Sequence, residues 1–271
     1  MSYASLAEAM TYGHGVERQF CCHVHGDTNP SASVNAMTGL WFCYACGARG
    51  KYLVSEMTPT QVTASVRSML DLMEEDVRAL PESFLDYYDA LGPGDYWLSR
   101  FGKESCRLHR LGHDPANSFA TIPVRDPAGE LLGLIHRDLT GTGPKYRYPL
   151  HVPISTLLYN YHRAEGDVLV LTEGATDTIA AVEAGWASAV ATYRNGLSRA
   201  QLVMILAYDP SAVLVAYDQD EAGERGVAQI RETLGKHVKV DRLTWEGHKD
   251  LASIPLGSRF EMFDKVKEIY A

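Results

Sequence analysis

Two short runs of apolar and aromatic residues in the second half of the chain are each followed by acidic residues. Residues 168–171 lead into Glu173, and residues 212–217 lead into Asp218 and Asp220. Runs of this length and composition are typical of buried strands, and a helical pattern follows each of them. Because an open parallel α/β sheet binds its ligands beyond the carboxyl ends of its strands, we expect the acidic residues to face one crevice.

The rest of this half continues the alternation of strands and helices that is typical of a mainly parallel sheet. An acceptable helix N-cap, Ser198, follows the turn at Asn195 and Gly196. The predicted elements are a strand at 187–191, a helix at 199–208, a strand at 238–243 and an amphipathic helix at 259–270.

The acidic residues predict a divalent cation. Carboxylates packed together repel one another unless a cation lies between them, and oxygen-rich sites suit Mg²⁺ or Mn²⁺. The alternative is that Asp218 and Asp220 are surface loop acids and that Glu173 caps a helix. An isolated Asp-x-Asp would favour that alternative, but the glutamate, the intervening strand and helix, and the small residues after Asp220 favour a metal site for phosphoryl transfer.

Four metal-binding residues near the amino terminus occur as two short pairs. Cys22-x-x-His25 is followed, after 17 residues, by Cys43-x-x-Cys46. Each pair can form a chelating turn, and the apolar residues between the pairs predict a small β-sheet that brings them together around a tetrahedral zinc ion. Free or buried thiols are the alternative, but they do not account for the paired spacing. Only Cys22 gives the spacing to His25, which leaves the participation of Cys21 open.

A basic β-hairpin is predicted in the middle of the chain. Two apolar runs, at 119–124 and 131–135, are joined by a turn sequence, and a Gly-rich turn follows the second run. Each arginine of a hairpin is by itself usually a surface residue that forms a salt bridge. The basic and aromatic residues at the strand ends and beyond the Gly-rich turn are Arg125, Arg137, Lys145 and Tyr146.

A helical, acidic pattern separates the zinc pairs from the hairpin, and proline and glycine interrupt it. We interpret it as a linker without chemistry, because a charge run on a helix is usually a solvated face. The predicted division is a zinc-binding module at 1–54, a helical acidic linker at 55–95, a basic hairpin subdomain at 96–165 and an α/β domain at 166–271.

Composition excludes several classes of protein. With 271 residues, 46% of them hydrophobic, the chain is expected to fold as a globular protein with a proper core. No apolar run approaches the ~18 residues that span a bilayer, so we expect a cytoplasmic protein without a membrane partner. The net charge of −9 argues against a nucleic-acid partner, but residues 97–150 carry eight Lys and Arg against five acids.

The motifs resemble a known family when they are taken together. The order Glu173-Gly174-x-x-Asp177, helix, strand and Asp218-x-Asp220 resembles the Toprim domain of primases, topoisomerases and related nucleases. The zinc pairs, and the hairpin followed by Lys145-Tyr146, are similar to a DnaG-type primase in particular. The resemblance implies an α/β (α+β) fold with a zinc-ribbon-like β module, a basic hairpin-containing subdomain and a Toprim domain.

The resemblance also implies a function. A DnaG-type primase joins ribonucleoside triphosphates into short RNA primers on single-stranded DNA, with catalytic Mg²⁺ or Mn²⁺ and structural Zn²⁺. Glu173, Asp218 and Asp220 would hold the catalytic cations, and Glu173 could instead be the general base. Asp250 could be a further ligand. Residues matching Arg125, Arg137, Lys145 and Tyr146 would form the template- and nucleotide-binding surface, with Asn195 in a polar loop beside the metal site.

Two further functions stay open at this point. One is a Toprim nuclease or topoisomerase relative, although a topoisomerase needs a tyrosine nucleophile on a separate mobile domain. The other is a non-catalytic, zinc-bearing recombination or replication accessory protein, which need not keep Glu173, Asp218 and Asp220. The compact organisation suggests a bacteriophage or mobile-element primase without an appended helicase, acting in the host cytoplasm with a replicative helicase as a possible partner.

Overall fold

The computed structural model describes residues 2–12, 17–36, 39–52 and 78–270. The linker helix predicted from the apolar residues between 62 and 77 therefore lies outside the described residues. Across the described ranges, no helix combines the length and the apolar character that crossing a membrane requires. Three sheets organise these residues, one of five strands and two of four.

The amino-terminal module, which we define as the described residues up to 52, is built on the five-stranded sheet. Its first two strands are parallel and the others are antiparallel, in the order of the chain. The predicted sheet between the two metal-binding pairs is confirmed, but Leu40 and Phe42 point outward and are 57% and 41% exposed. The elements are β1 (Ser2–Tyr3), α1 (Leu6–Tyr12), β2 (Glu17–Phe20), β3 (Ala32–Asn35), β4 (Leu40–Cys43) and β5 (Arg49–Lys51).

The hairpin subdomain, residues 78–165, contains an antiparallel sheet with short helices before it. The predicted hairpin is confirmed, and both of its strands extend further than the apolar runs. In this subdomain Glu82 and Asp89 form ion pairs with Arg110, so part of the predicted acidic face is held against the protein. The elements are a 3-10 helix (Glu82–Leu85), α2 (Asp86–Leu91), α3 (Gly94–Leu98), α4 (Lys103–Leu108), β6 (Gly112–Asp114), β7 (Phe119–Arg125), β8 (Leu131–Asp138) and β9 (Tyr146–Arg147).

The parallel domain, residues 168–270, has four parallel strands in the spatial order β11-β10-β12-β13. Every residue of the two central strands is buried, because structure covers both faces of the sheet. The strands are β10 (Val168–Thr172), β11 (Ala189–Ala191), β12 (Ala212–Ala216) and β13 (Lys239–Arg242). The helices are α5 (Ala175–Glu183), α6 (Arg199–Tyr208), α7 (Glu221–Leu234) and α8 (Leu256–Tyr270).

The predicted α6 is confirmed, and its start has a local cause. The Ser198 side chain accepts a hydrogen bond from the backbone N–H of Gln201, and the Gln201 side chain accepts one from the backbone of Ser198. This capping box satisfies two backbone groups that a helix start would otherwise leave without partners. The remaining short 3-10 helices are Ile154–Thr156, Tyr161–Arg163 and Leu251–Ser253.

The parallel sheet contributes to a different hydrophobic core on each of its faces. On one face, Val168 and Val170 pack with α5, α8 and the hairpin subdomain. On the opposite face, Leu169 and Leu171 belong to a core that also contains α6, α7 and buried residues of the amino-terminal module. The module therefore shares a core with the parallel domain.

One histidine of the hairpin subdomain, His109, is buried, and a second, His162, is half-buried. The Nδ1 atom of His109 lies 2.9 Å from the hydroxyl of Tyr159, and only 5% of His109 is exposed. Burial, with a smaller contribution from the positive charge of Arg163, lowers the pKa of His109 to about 3. Burial likewise lowers the pKa of His162 to about 4. Both rings are therefore neutral in the folded protein at neutral pH.

We expect this burial to make the protein sensitive to acid. Unfolded His109 takes up a proton below its ordinary pKa of 6.5, whereas the folded ring stays neutral down to about pH 3. The stabilisation is fully present above pH 6.5 and is lost as the pH falls towards 3. Urea unfolding of the His109→Gln variant should show a pH slope smaller by about one proton in this range. The matched change of the exposed His237→Gln should leave the slope unaltered, and an equal slope in both variants would contradict the prediction.

Candidate metal and nucleic-acid sites

The predicted zinc ligands converge in the amino-terminal module. The ligand atoms of Cys22, His25, Cys43 and Cys46 all lie within 4.8 Å of one another. The Sγ atoms of Cys22 and Cys46 are 3.9 Å apart, and Cys43 Sγ is 3.8 Å from Nδ1 of His25. A tetrahedral zinc with bonds of about 2.0–2.3 Å needs ligand separations of roughly 3.5–3.8 Å. The four residues fit zinc, and Cys21 lies outside the group.

The backbone and a neighbouring carboxylate hold these ligands in place. Gly26 and Gly47 close the two chelating turns, with φ of +65° and +71°, and their N–H groups each donate to the carbonyl of the first cysteine of the pair. Asp27 accepts a 2.6 Å hydrogen bond from the N–H of Cys22 and lies 3.2 Å from Nε2 of His25. A carboxylate on Nε2 leaves Nδ1 as the metal ligand.

The surroundings of Cys43 favour the thiolate that binds metal. Burial raises the pKa of this thiol, but hydrogen bonds from Ser31 and from the backbone N–H groups of Cys46 and Ala45 outweigh it and lower the pKa to about 6. A metal-binding cysteine must lose its proton. The donors around Cys43 therefore lower the cost of binding the ion.

The second site is a cleft of about 260 Å³ at the carboxyl edge of the parallel sheet, which we call the acidic cleft. Glu173 directly follows β10, and Asp218 follows β12 after one residue. The predicted convergence of these two residues on one crevice is therefore seen. Its polar and aromatic lining is Lys145, Tyr146, Tyr148, Thr176, Tyr193, Glu173, Asp177, Asp218 and Asp250.

The acids of the cleft repel one another and resist ionisation. Burial raises the pKa of Glu173, and the charges of Asp218 and Asp220 raise it further. Burial and the charge of Asp250 likewise raise the pKa of Asp218. Asp177 is 7% exposed, and burial raises its pKa to about 7 although the N–H of Ala252 donates to it at 3.0 Å. A cation in the cleft would relieve this repulsion.

Asp220 is placed differently from Glu173 and Asp218. Its side chain accepts a 2.9 Å hydrogen bond from the N–H of Gly223 and caps α7, and this bond lowers its pKa. It is exposed and does not line the cleft, so its position is close to the alternative of a surface loop acid, with the added role of a helix cap. Asp250 lines the cleft and also accepts a 2.8 Å hydrogen bond from the N–H of Ser253.

The glycines behind Asp218 and Asp220 are explained by close packing. A Cβ atom at Gly223 would lie 2.0 Å from the carbonyl oxygen of Asp218, so only glycine lets α7 begin under this loop. A Cβ atom at Gly226 would lie 2.1 Å from Oδ1 of Asn195. Asn195 therefore packs against α7 and is not among the residues that line the cleft.

The carboxylates of the cleft face one region without forming a closed cage. Among the described residues, the Cys and His group is the one set whose ligand atoms lie within 4.8 Å of one another. Within the described residues, Lys249 forms an ion pair with a cleft acid, with its Nζ atom 3.9 Å from Oδ2 of Asp218. The donors are all oxygens, which is the chemistry that Mg²⁺ and Mn²⁺ select.

A row of alternating cationic and aromatic side chains leads out of the cleft. The guanidinium of Arg100 lies 3.9 Å from the ring centre of Tyr96, and that of Arg137 lies 5.4 Å from Tyr96 and 5.0 Å from Tyr146. Lys145 Nζ lies 5.6 Å from the ring of Tyr146. We call these five residues the cation–aromatic row.

The cations of the row differ from Arg110 and Arg125 of the same subdomain, which form ion pairs. Within the part of the chain that the structure describes, Arg100, Arg137 and Lys145 have no carboxylate within salt-bridge distance, and the buried Nε atom of Arg137 has no hydrogen-bond partner. Arg125 instead pairs with Glu82, and its side chain is only 11% exposed. The structure therefore brings Arg137, Lys145 and Tyr146 together and places Arg125 in an internal ion pair.

Several residues of the acidic cleft and of the cation–aromatic row were not singled out from the sequence. Tyr96 and Arg100 have the i, i+4 spacing of neighbours on a helix, and this spacing was the available signal. Asp177 was part of the acidic motif in the sequence, but no role was predicted for it. Tyr148 and Tyr193 carry no sequence signal, because each reaches the cleft from a different loop.

Comparison with known proteins shows what the parallel domain is similar to. Residues 170–254 match the family model described as Toprim-like, and this range includes the acidic residues of the cleft and most of the parallel domain. The chain thus combines a Toprim-like domain with an amino-terminal Cys/His module that fits zinc.

The relatives are primases. The DNA primase of Helicobacter pylori is 23% identical over 303 residues, covering 88% of this chain and 53% of that protein, and that of Geobacillus stearothermophilus is 24% identical over 302 residues, covering 82% and 50%. The chain therefore spans about half the length of these relatives. Their similarity confirms the resemblance to DnaG-type primases.

Solved structures show the same fold. The zinc-binding and RNA polymerase domains of the Aquifex aeolicus primase align with a TM-score of 0.53 and 18% identity, over 94% of this chain and 79% of that one. The primase fragment of the bacteriophage T7 primase-helicase aligns with a TM-score of 0.53 and 17% identity, over 90% and 96%. The chain has the primase fold in both its zinc-module and its Toprim-like parts.

We expect the purified protein to hold one zinc ion, and Cys43→Ser or Cys46→Ser to lose it. Structural zinc contributes folding free energy directly, so the melting temperature should fall and residues 17–52 should loosen. Cys21→Ser is the matched control, because Cys21 lies outside the ligand group. Elemental analysis measures the metal, and a folded wild-type preparation without zinc would refute the assignment.

Proposed function

We propose that the chain is a DNA primase that synthesises short RNA primers on single-stranded DNA by nucleotidyl transfer. The observation that supports this best is the acidic cleft, where the carboxylates of Glu173 and Asp218 face the cationic and aromatic side chains of Lys145 and Tyr146. The carboxylates suit divalent cations, and the cationic and aromatic side chains suit phosphates and bases. The direct test is to incubate the protein with single-stranded DNA, labelled ribonucleotides and Mg²⁺ or Mn²⁺ and to look for short RNA products.

Glu173 and Asp218 are the proposed core of the metal site, with Asp250 beside them and Asp220 on its edge. Divalent cations bound there would polarise the α-phosphate, activate the attacking 3'-hydroxyl and neutralise the departing pyrophosphate. Glu173 has a raised pKa, so it can also accept the proton of the 3'-hydroxyl as a general base. Asp177 is buried below these residues and supports the wall from α5.

The cation–aromatic row is the proposed path of the nucleic acid. Aromatic rings accept stacked bases, and unpaired cations between them neutralise the phosphates of a single strand. Lys145 stands where the row meets the cleft, and its charge lowers the pKa of both Glu173 and Asp218. A triphosphate bound at that point would lie between the carboxylates of the acidic cleft and the side chains of the cation–aromatic row.

The alternatives lack such support. A nuclease has no evident use for the amino-terminal module, and an accessory protein that only binds DNA has no need of a cleft in which acids are held against their repulsion. A replicative helicase as partner, and action in the cytoplasm, belong to the same proposal.

Asp218→Asn should abolish primer synthesis without destabilising the protein. The exchange keeps the size of the side chain but removes a charge that the fold disfavours, so thermal stability without added Mg²⁺ should be equal or higher. Primer synthesis should fall about 100-fold or more, because the transferring phosphoryl group loses its positioned cation. The exposed Asp264→Asn is the control, and primer synthesis by Asp218→Asn at the normal rate would refute the mechanism.

Arg137→Ala and Lys145→Ala should each weaken binding of single-stranded DNA. Each change removes about one phosphate contact, so the slope of log affinity against log salt should flatten by about 0.7. Arg225→Ala is the matched control, because Arg225 is exposed and forms its ion pair with Glu221 on the same helix. Fluorescence anisotropy at several salt concentrations measures the affinities and the slopes. Unchanged values in both variants would show that Arg137 and Lys145 do not contact the DNA.

A further inference from the structure

The amino-terminal module and the parallel domain are joined by a buried arginine. Arg199 is the first residue of α6, and only 5% of it is exposed. Its side chain leaves the parallel domain and enters the module, where Nη1 donates a 2.9 Å hydrogen bond to the carbonyl of Ala36. The same nitrogen lies 3.8 Å from Sδ of Met10 on α1.

The module is shaped to receive this side chain. The guanidinium lies 5.6 Å from the ring centre of Tyr52. A Cβ atom at Gly39 would lie 3.3 Å from Cδ of Arg199 and 2.8 Å from the carbonyl oxygen of Tyr52, and φ at Gly39 is +71°. A side chain at Gly39 would therefore crowd the arginine, and the backbone there favours glycine.

The two parts also share a hydrophobic core. Met10, Phe20 and Val34 of the module belong to the same core as Leu202 and Val203 of α6. Burying an arginine costs free energy unless acceptors meet its donors, and here the module contributes the carbonyl of Ala36 to Nη1 and the ring of Tyr52 to the guanidinium. Separation of the two parts would expose both the apolar surface and the arginine.

Arg199 and a residue that lines the acidic cleft, Tyr193, lie on one short segment. Tyr193 lines the cleft, and Arg199 enters the module six residues later. Between them, the side chain of Gln229 on α7 accepts a 2.8 Å hydrogen bond from the N–H of Leu197. The segment 193–199, which α7 holds, thus connects the cleft to the residue that enters the module.

We propose that the module stays docked on the parallel domain in solution and serves the cleft of its own chain, with Arg199 as the positioning residue. The action of the module on the cleft of its own chain rests on the proposed primase function, whereas the docking itself does not. A module tethered only by residues 53–77 could act on a second copy of the chain, whereas a module that shares a core with α6 acts on the copy that carries it.

Hydrogen exchange of the full chain tests the docking. After removal of zinc with a chelator, α6 should lose protection together with the module, whereas α5, which packs in the other core, should keep it. In zinc-loaded Arg199→Met, exchange of α6 and of the module should rise at least several-fold with the zinc retained, and Arg225→Met should behave as the wild type. Full protection of α6 after zinc removal, or in Arg199→Met, would overturn the docking.

Mixing two inactive full-length variants tests the consequence. Cys46→Ser lacks a working module and Asp218→Asn lacks a working cleft, so primer synthesis by the mixture should stay at the level of either variant alone. Recovery of activity would show that a module serves another copy, and it would overturn the proposal. If the wild type makes no primers, the primase function fails, but the exchange experiment still decides the docking.

Discussion

The mutual repulsion of partly buried carboxylates at one edge of a parallel sheet is the constraint on which the site depends. Glu173 and Asp218 are brought there by neighbouring strands, and burial makes their charges more costly. Asp177 responds with a pKa near 7, so it holds a proton for part of the time at neutral pH. The charges of Lys249 and Lys145 offset only part of this cost, because the pKa values of Glu173 and Asp218 remain raised, and such a site is suited to bind a further cation from outside.

The hydrophobic cores explain why this strained edge is stable. The hairpin subdomain covers one face of the parallel sheet and the amino-terminal module covers part of the other, so both cores are closed by units outside the parallel domain. The cleft forms where the hairpin subdomain meets the sheet edge, and Ile122 and Ile135 of the hairpin belong to its lining. The same packing that closes the core therefore places a cationic wall opposite the acidic one.

Arginine illustrates how little residue type alone reveals about role. Arg259 pairs with Glu183 at 3.2 Å in the interior, and both side chains are almost fully buried. Arg125 pairs with Glu82, whereas Arg137 has no carboxylate partner within the described residues and lies against the rings of Tyr96 and Tyr146. The first two hold elements together and the third is available to a ligand. Their partners, which lie far apart in the sequence, make the difference.

The sequence by itself determined the features that depend on neighbouring residues: the buried strands, the helix N-cap at Ser198, and the spacing that lets Cys22, His25, Cys43 and Cys46 chelate an ion. Only the tertiary structure decided that Asp220 caps α7 outside the cleft, that Arg125 is held by Glu82, and that Arg199 anchors the amino-terminal module. Chain patterns report local hydrogen bonding and periodic burial. The fate of a charged side chain depends on which distant partner the fold brings within reach, and no local pattern carries that information.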